Sequence, residues 1–458
     1  MAIPKASIPI FTASLIALPS IVLAVMHVHL SAPMTALIAG TSILAAAFLL
    51  LWACDAAQAD ISPSLALAIV AFIAVLPEYA VDMYFTWMAG KHPEADYAHY
   101  AIANMTGANR LIIGIAWTAV VVIFWFKTRR EVVLEEERRL EIQFLAAATV
   151  WAFFIAFKGS LMWYDTVVLV GMYVAYVIIA GRRPTTDFEV EGPALYITSM
   201  PVTKRRIVTI SLFIFAAGII LANAERFSEG LVGTGKQFGI DEFLLVQWLA
   251  PLASETPEFI VAIMFALRAR AGMALGTLVS AKLNQWTLLV GMIPLVFALS
   301  SGALSPSLPV NHFQLHEILL TAAQSLLAVV MIATLRLSVG QAALLFGLFC
   351  GQLISPAVAA AMPDGMVLGL PGEHLRPLFT ILYLMSTLAI LANQPHRLLG
   401  LWPSRRRCSQ PEAPDNPEDV PEHPTGANEN GPICETDEKP DAVAANPHVA
   451  HRHRRGDR

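Results

Sequence analysis

The chain has 458 residues, 56% of them hydrophobic and only 14% charged, with a mean hydropathy of +0.60. A soluble globular domain carries about a quarter charged residues, so the composition excludes a soluble domain and points to an integral membrane protein whose first partner is the lipid bilayer. The formal net charge of −5 is concentrated in loops and the C-terminal segment, and no nucleic-acid partner is expected.

Apolar blocks of about twenty residues, the length that crosses a bilayer core, recur along the chain. About twelve candidate spans follow from hydropathy, near 7–28, 34–54, 62–89, 98–126, 141–158, 161–181, 206–224, 241–268, 273–299, 315–335, 340–362 and 375–393. The first is longer than a signal-peptide core of ~7–15 residues and reads as an uncleaved span. Five Lys/Arg fall in the connection KTRREVVLEEERRL (127–140) and five between Arg182 and Arg206. Lys5, Arg268, Arg270, Arg336 and the RRR of 405–407 fall on the same side. Basic connections stay cytoplasmic, which places both termini there, in a cell membrane. From about residue 403 the sequence is rich in Pro, Glu, Asp and Asn and cannot bury enough surface to fold; it reads as a disordered cytoplasmic tail. Cys54 and Cys350 lie in spans, Cys408 and Cys434 in the tail, with no disulfide framework.

Two spans carry unusual polarity. Residues 76–82 read LPEYAVD and residues 254–262 read SETPEFIVA. Each is followed by a further polar span, NMTGANRLIIGIAW (104–117) and SAKLNQWTLLVGMIP (280–294). Charged groups at membrane depth are expensive and mark ion or substrate paths. Two proline-interrupted polar spans in corresponding positions point to a site between internal repeats. The Pro-Glu spans are third and eighth, an odd number apart, so the repeats run in opposite directions. The expected layout is all-α: an extra N-terminal span (1–33), a first five-helix repeat (34–181), a cytoplasmic connection (182–205), a second inverted repeat (206–362), an extra C-terminal span (363–402) and the tail (403–458).

These motifs resemble the repeats of the cation/calcium antiporter superfamily, which includes sodium/calcium and cation/proton exchangers. Family repeats read G-[ST]-S-x-P-E, then a span with G-S-N-x-x-N. The resemblance implies that Glu78 and Glu258 are ion-binding glutamates, that Ser254 supplies a hydroxyl, and that Asn109 and either Asn284 or Gln285 supply amides. Departures stand beside the matches. Ala74-Val75 replaces small hydroxyl residues, Glu255 replaces a serine, and Asp82 adds an acid one helical turn from Glu78. Arg110 and Lys282 lie about ten residues inside their spans, too deep to reach the interface easily.

A hard cation exchanges its water for oxygen ligands, about six to eight for Ca²⁺. Pro77 and Pro257 lack an N–H, which frees the carbonyls of Ile73 and Ala253 beside the carboxylates. If Glu78, Asp82, Glu255 and Glu258 share one cavity with Arg110 and Lys282, two negative charges remain, enough for one divalent cation or two protons. The expected function is secondary antiport of Ca²⁺ or a similar cation against Na⁺ or H⁺ by alternating access, with small inorganic cations as substrates and no cofactor. Two alternatives stand: a non-transporting sensor or scaffold whose site is frozen by Arg110 and Lys282, and Na⁺/H⁺ exchange without Ca²⁺. H-E-x-x-H and G-x-S-x-G are absent, which argues against a hydrolase. GLVGTGKQ (230–237) approaches a phosphate-binding loop, but Gln237 stands where a hydroxyl is needed, and a flexible loop is expected. His316-Glu317 reads as a span boundary, and Gln324, Gln341 and Gln352 as packing contacts.

Overall fold

The computed structural model describes residues 7–28, 30–60, 76–182, 192–303, 307–362, 365–367, 369–397 and 399–401. Lipid offers no hydrogen bonds, so apolar segments must satisfy their own backbone, and the long apolar blocks are accordingly helices. They are α1 (Ile8–Val25), α2 (Ala32–Ala57), α3 (Leu76–Lys91), α4 (Tyr97–Thr128), α5 (Glu136–Lys158), α6 (Trp163–Ala180), α7 (Val202–Phe238), α8 (Glu242–Leu267), α9 (Ala271–Ser301), α10 (His312–Ile332), α11 (Val339–Ala361) and α12 (Leu375–Asn393). Among the described residues, eleven helices are long and apolar enough to cross a membrane. The remaining one, α3, holds the first Pro-Glu motif; the earlier part of its expected span, with the Ile73 carbonyl, lies outside the described residues, as does the expected tail.

Four very short strands tie the helix ends together. Strand β1 (Val132–Val133), between α4 and α5, pairs antiparallel with β4 (Arg336–Leu337), between α10 and α11. Strand β2 (Ser160–Leu161), between α5 and α6, pairs with β3 (Leu308–Pro309), between α9 and α10. Helix contacts are matched in the same way. Helix α4 packs on α8 and α11, while α9 packs on α3 and α6; α2 packs along α7, α5 against α10 and α3 against α8. Exchanging α2–α6 for α7–α11, in order, converts each of these contacts into another of the set. Helix α1 lies outside, on α2, and α12 lies against α10 and α11.

Two helices change pitch midway. In α4 the hydrogen bonding widens to a π-turn over Ile112–Trp117, and in α9 over Gln285–Leu289. Such turns add a residue to one turn and occur often at functional sites. Both lie within the polar stretches singled out in the sequence, 104–117 and 280–294. Helix α8 runs unbroken through Pro251 and Pro257.

GLVGTGKQ is helical, contrary to the loop expected for it: it forms the last turns of α7. Its glycines serve close helix packing, as small residues do in membranes. A Cβ on Gly230 would stand 2.7 Å from the Ala36 backbone nitrogen, and one on Gly233 2.8 Å from the Ala32 Cβ. The helix ends at Gly239, whose positive φ of 66° closes it in the left-handed conformation. We expect Gly230→Leu to push α2 from α7 and lower the thermal stability of detergent-purified protein; an unchanged melting curve would show that the close approach is dispensable.

Just beyond the end of α2, Asp60 receives two hydrogen bonds from Arg205, at 2.7 and 2.8 Å, and one from Arg206 at 3.1 Å. The Arg205 hydrogen bonds, followed by those of Arg206, hold the Asp60 carboxyl down at about 2. A depressed carboxyl stabilises fully above its unfolded value, about 4, and loses that stabilisation as pH falls through the folded value. Asp60→Asn should therefore lower the melting temperature at pH 6 and converge with wild type near pH 2, measured by thermal unfolding across that range.

Candidate cation site

Helices α3, α4, α8 and α9 bring their polar residues together at membrane depth. Helix α3 carries Glu78, Tyr79 and Asp82; α8 carries Ser254, Glu255 and Glu258; α9 carries Lys282, Asn284 and Gln285. The centre is Gln285, the first residue of the α9 π-turn. Its amide nitrogen donates to Glu78 Oε2 at 2.9 Å and to Glu255 Oε1 at 2.8 Å. Carboxylates only accept, so the amide nitrogen faces both of them. Glu78, Glu255 and Gln285 are buried, at 2%, 3% and 0% exposure. Glu78 Oε1, Glu255 Oε2 and Gln285 Oε1 are left without a hydrogen-bond partner among the described residues. An orphaned buried oxygen is costly, and three oxygens without a competing donor suit a hard cation. No group of three or more His, Cys, Asp or Glu side chains that could hold a metal ion occurs among the described residues; the cluster here is two carboxylates and an amide.

The other expected residues fall around this centre. Asp82 is fully buried; its Oδ1 accepts from Asn104 at 3.2 Å and its Oδ2 has no partner among the described residues. Glu258 is half-buried and lies within electrostatic reach of Glu78 and Glu255, but Gln285 does not touch it. Ser254 donates to its own helix, at the carbonyls of Ala250 and Pro251, both 3.2 Å away. Asn284 accepts from the Tyr79 hydroxyl at 3.1 Å. Asn109 donates to the Met105 carbonyl at 2.8 Å, and its Oδ1 accepts from Lys282 Nζ at 2.7 Å. Pro257 sits inside α8, where it leaves the Ala253 carbonyl without its helical donor; Pro77 stands beside Glu78 on α3, and the carbonyl four residues before it lies outside the described residues.

Arg110 does not join this centre, so the expectation that it balances the site's charge is corrected. Its guanidinium pairs with Glu317 on α10 and lies over the Trp248 ring, 5.0 Å from its centroid. Glu317 also binds Arg376 of α12 and accepts from Gln247 at 2.8 Å. A buried acid surrounded by two guanidinium groups and an amide is a filled network. The frozen-site alternative loses its lock as well: neither Arg110 nor Lys282 forms an ion pair with Glu78 or Glu255. The sequence reading missed Glu317 and Gln247. Glu317 follows a histidine near a helix start, which made it look like a boundary residue, yet it is 1% exposed. The available signal was a lone acid within a span. Gln324 and Gln352 do link helices, Gln324 donating to the Arg110 carbonyl at 3.3 Å.

A sequence profile of the family described as sodium/calcium exchanger protein matches residues 31–181 and 208–356. With most of its length matched in two segments, the chain belongs to that family of integral membrane cation/calcium antiporters, which are transporters rather than enzymes. Among solved structures it is similar to the H⁺/Ca²⁺ exchanger CAX, with 41% identity and a TM-score of 0.80 over 87% of this chain and 96% of that one. It shares its fold with YfkE at 15% identity and a TM-score of 0.51, over 83% of this chain and 99% of that one. A sodium-calcium exchanger, NCX_Mj, matches at 16% identity and a TM-score of 0.47, over 72% of this chain and 96% of that one. No curated protein matches at a significant level.

Breaking a buried ion pair by removing one partner costs about 3–5 kcal/mol. Arg110→Met should therefore destabilise the fold by about 3 kcal/mol while leaving transport per folded molecule largely intact. The checks are thermal unfolding and flux normalised to folded protein; selective loss of flux at wild-type stability would move Arg110 back into the site.

Proposed function

We propose that the chain exchanges Ca²⁺, or a divalent cation of similar hardness, for protons at the carboxylates Glu78 and Glu255. The observation that carries this reading is the amide bridge: Gln285 fixes one oxygen of each carboxylate and leaves the others unpartnered and buried. Two carboxylates match one divalent cation or two protons, and a proton removes a buried negative charge as well as a bound cation does. The similarity to the H⁺/Ca²⁺ exchanger CAX supports protons as the counter-ion. Asp82 and Glu258 lie beside the pair, where they attract a cation toward it.

The two-repeat layout supplies the movement. We read α2–α6 and α7–α11 as inverted repeats, supported by the matched helix contacts, the paired strands and the two segments that the family profile matches. Rocking of one repeat against the other exposes a shared midpoint site to each side in turn. Both termini are assigned to the cytoplasm by the basic connections of a cell membrane protein.

The test is Ca²⁺ flux in proteoliposomes under an imposed pH gradient, with Na⁺ and K⁺ varied separately. Glu78→Gln and Glu255→Gln should each reduce proton-coupled Ca²⁺ exchange to background while preserving expression and folding. Glu258→Gln, outside the bridged pair, should slow exchange without abolishing it. Wild-type exchange in a folded Glu255→Gln protein would overturn the assignment.

A further inference from the structure

Lys282 is completely buried on α9, beside the proposed transport site. Its ammonium reaches 2.7 Å from Asn109 Oδ1 and 3.1 Å from the Asn109 carbonyl oxygen. On its remaining side lies the face of Trp286, 4.4 Å to the centroid, a favourable place for a cation. The Asn109 amide nitrogen is tied to the Met105 carbonyl at 2.8 Å, which fixes Oδ1 toward the lysine. Lys282 forms no ion pair among the described residues, so it is not spent as the partner of one acid.

The positions of the two residues are informative. The π-turns begin at Ile112 in α4 and Gln285 in α9. Asn109 and Lys282 each stand three residues earlier and are 173 apart in sequence, the same offset as the turns. They are therefore counterparts in the two repeats, and they meet. Two neutral amides in these places would present oxygens to each other and leave a cradle for a small dehydrated cation. Here one counterpart is an ammonium, and the oxygens of the other already surround it.

We propose that Lys282 is a tethered cation, a specificity-determining residue that stands where a second, monovalent ion would bind and so makes exchange independent of Na⁺. The proposal rests on Glu78 and Glu255 being the transport site. A bound Na⁺ would have to share the Asn109 oxygens with a fixed positive charge, and like-charge repulsion in a low-dielectric interior excludes it. Because the lysine cannot leave, its side chain fills this place in every state of the cycle, and only the ions carried on the glutamates vary.

The test uses the full chain in proteoliposomes, comparing wild type with Lys282→Ser and Lys282→Met for Ca²⁺ flux and for ²²Na⁺ counterflow. Wild type should show no Na⁺-driven Ca²⁺ flux and no ²²Na⁺ counterflow. Lys282→Ser, which removes the charge and adds an oxygen, should gain both; Lys282→Met, which removes the charge alone, should gain less. Calcium-driven ²²Na⁺ counterflow in wild type would overturn the proposal, and this measurement decides even where a variant fails to fold. A folded, Ca²⁺-transporting Lys282→Ser protein without any Na⁺ component would overturn it too. Glu255→Gln, run alongside, separates the two readings: retained exchange there removes the site itself, whereas its loss together with a sodium-blind Lys282→Ser removes only the role of the lysine.

Discussion

Two carboxylates at membrane depth share the N–H groups of a single amide, and the chemistry of the protein follows from that shortage. Moving a carboxylate out of water is expensive, and the expense is offset only by partners that satisfy it. Gln285 can hold Glu78 and Glu255 in place, but an amide brings no charge. The deficit must be met by something that enters. A divalent cation meets it by coordination and protons meet it by covalent attachment, and one occupant excludes the other. On the proposed function, competition for this one deficit would couple the two ions, with no separate coupling device.

The Arg110–Glu317–Arg376 network shows the opposite solution. There, too, an acid is buried at helix–helix contacts, but two guanidinium groups and the Gln247 amide surround it. The protein supplies all the compensation itself, and no ion is called for. The network links α4, α8, α10 and α12 and acts as a strut. On the proposed reading, which buried acids transport and which brace follows from whether permanent positive charge lies within contact distance. Glu78 and Glu255 have none; Glu317 has two.

Much of this was legible before any coordinates. Span lengths follow from bilayer thickness, and the two Pro-Glu motifs announce their helices because proline and carboxylate are both costly in lipid. What the sequence hides is partnership across long separations. Arg110 and Glu317 are 207 residues apart, and nothing local in either segment reveals the other. Gln285 is hidden differently. Both Asn284 and Gln285 were candidates, and the choice depends on which side chain faces α3 and α8. That direction is set where α9 widens into a π-turn, and a turn with one additional residue leaves no mark in hydrophobic periodicity. GLVGTGKQ misled because glycine favours loops in water but close helix packing in membranes.

The asymmetry of the site has a local cause. On the two-repeat reading, Glu258 is the counterpart of Glu78, yet the amide bridges Glu78 to Glu255 instead. Counting back from the π-turns, the counterpart of Gln285 is Ile112, a buried apolar residue with no hydrogen bond to give. Glu258 therefore lacks the donor that Glu78 has. A second bridge related by symmetry cannot form, and the carboxylate that completes the pair comes from one turn earlier on α8, where the family pattern has a serine. Lys282 opposite Asn109 breaks the symmetry in the same direction, placing an amine on only one side of the junction. The helices keep their matched packing, which the proposed alternating access requires, while the proposed site would offer one cation position instead of two equivalent ones. Global symmetry serves the movement, and local asymmetry limits the load.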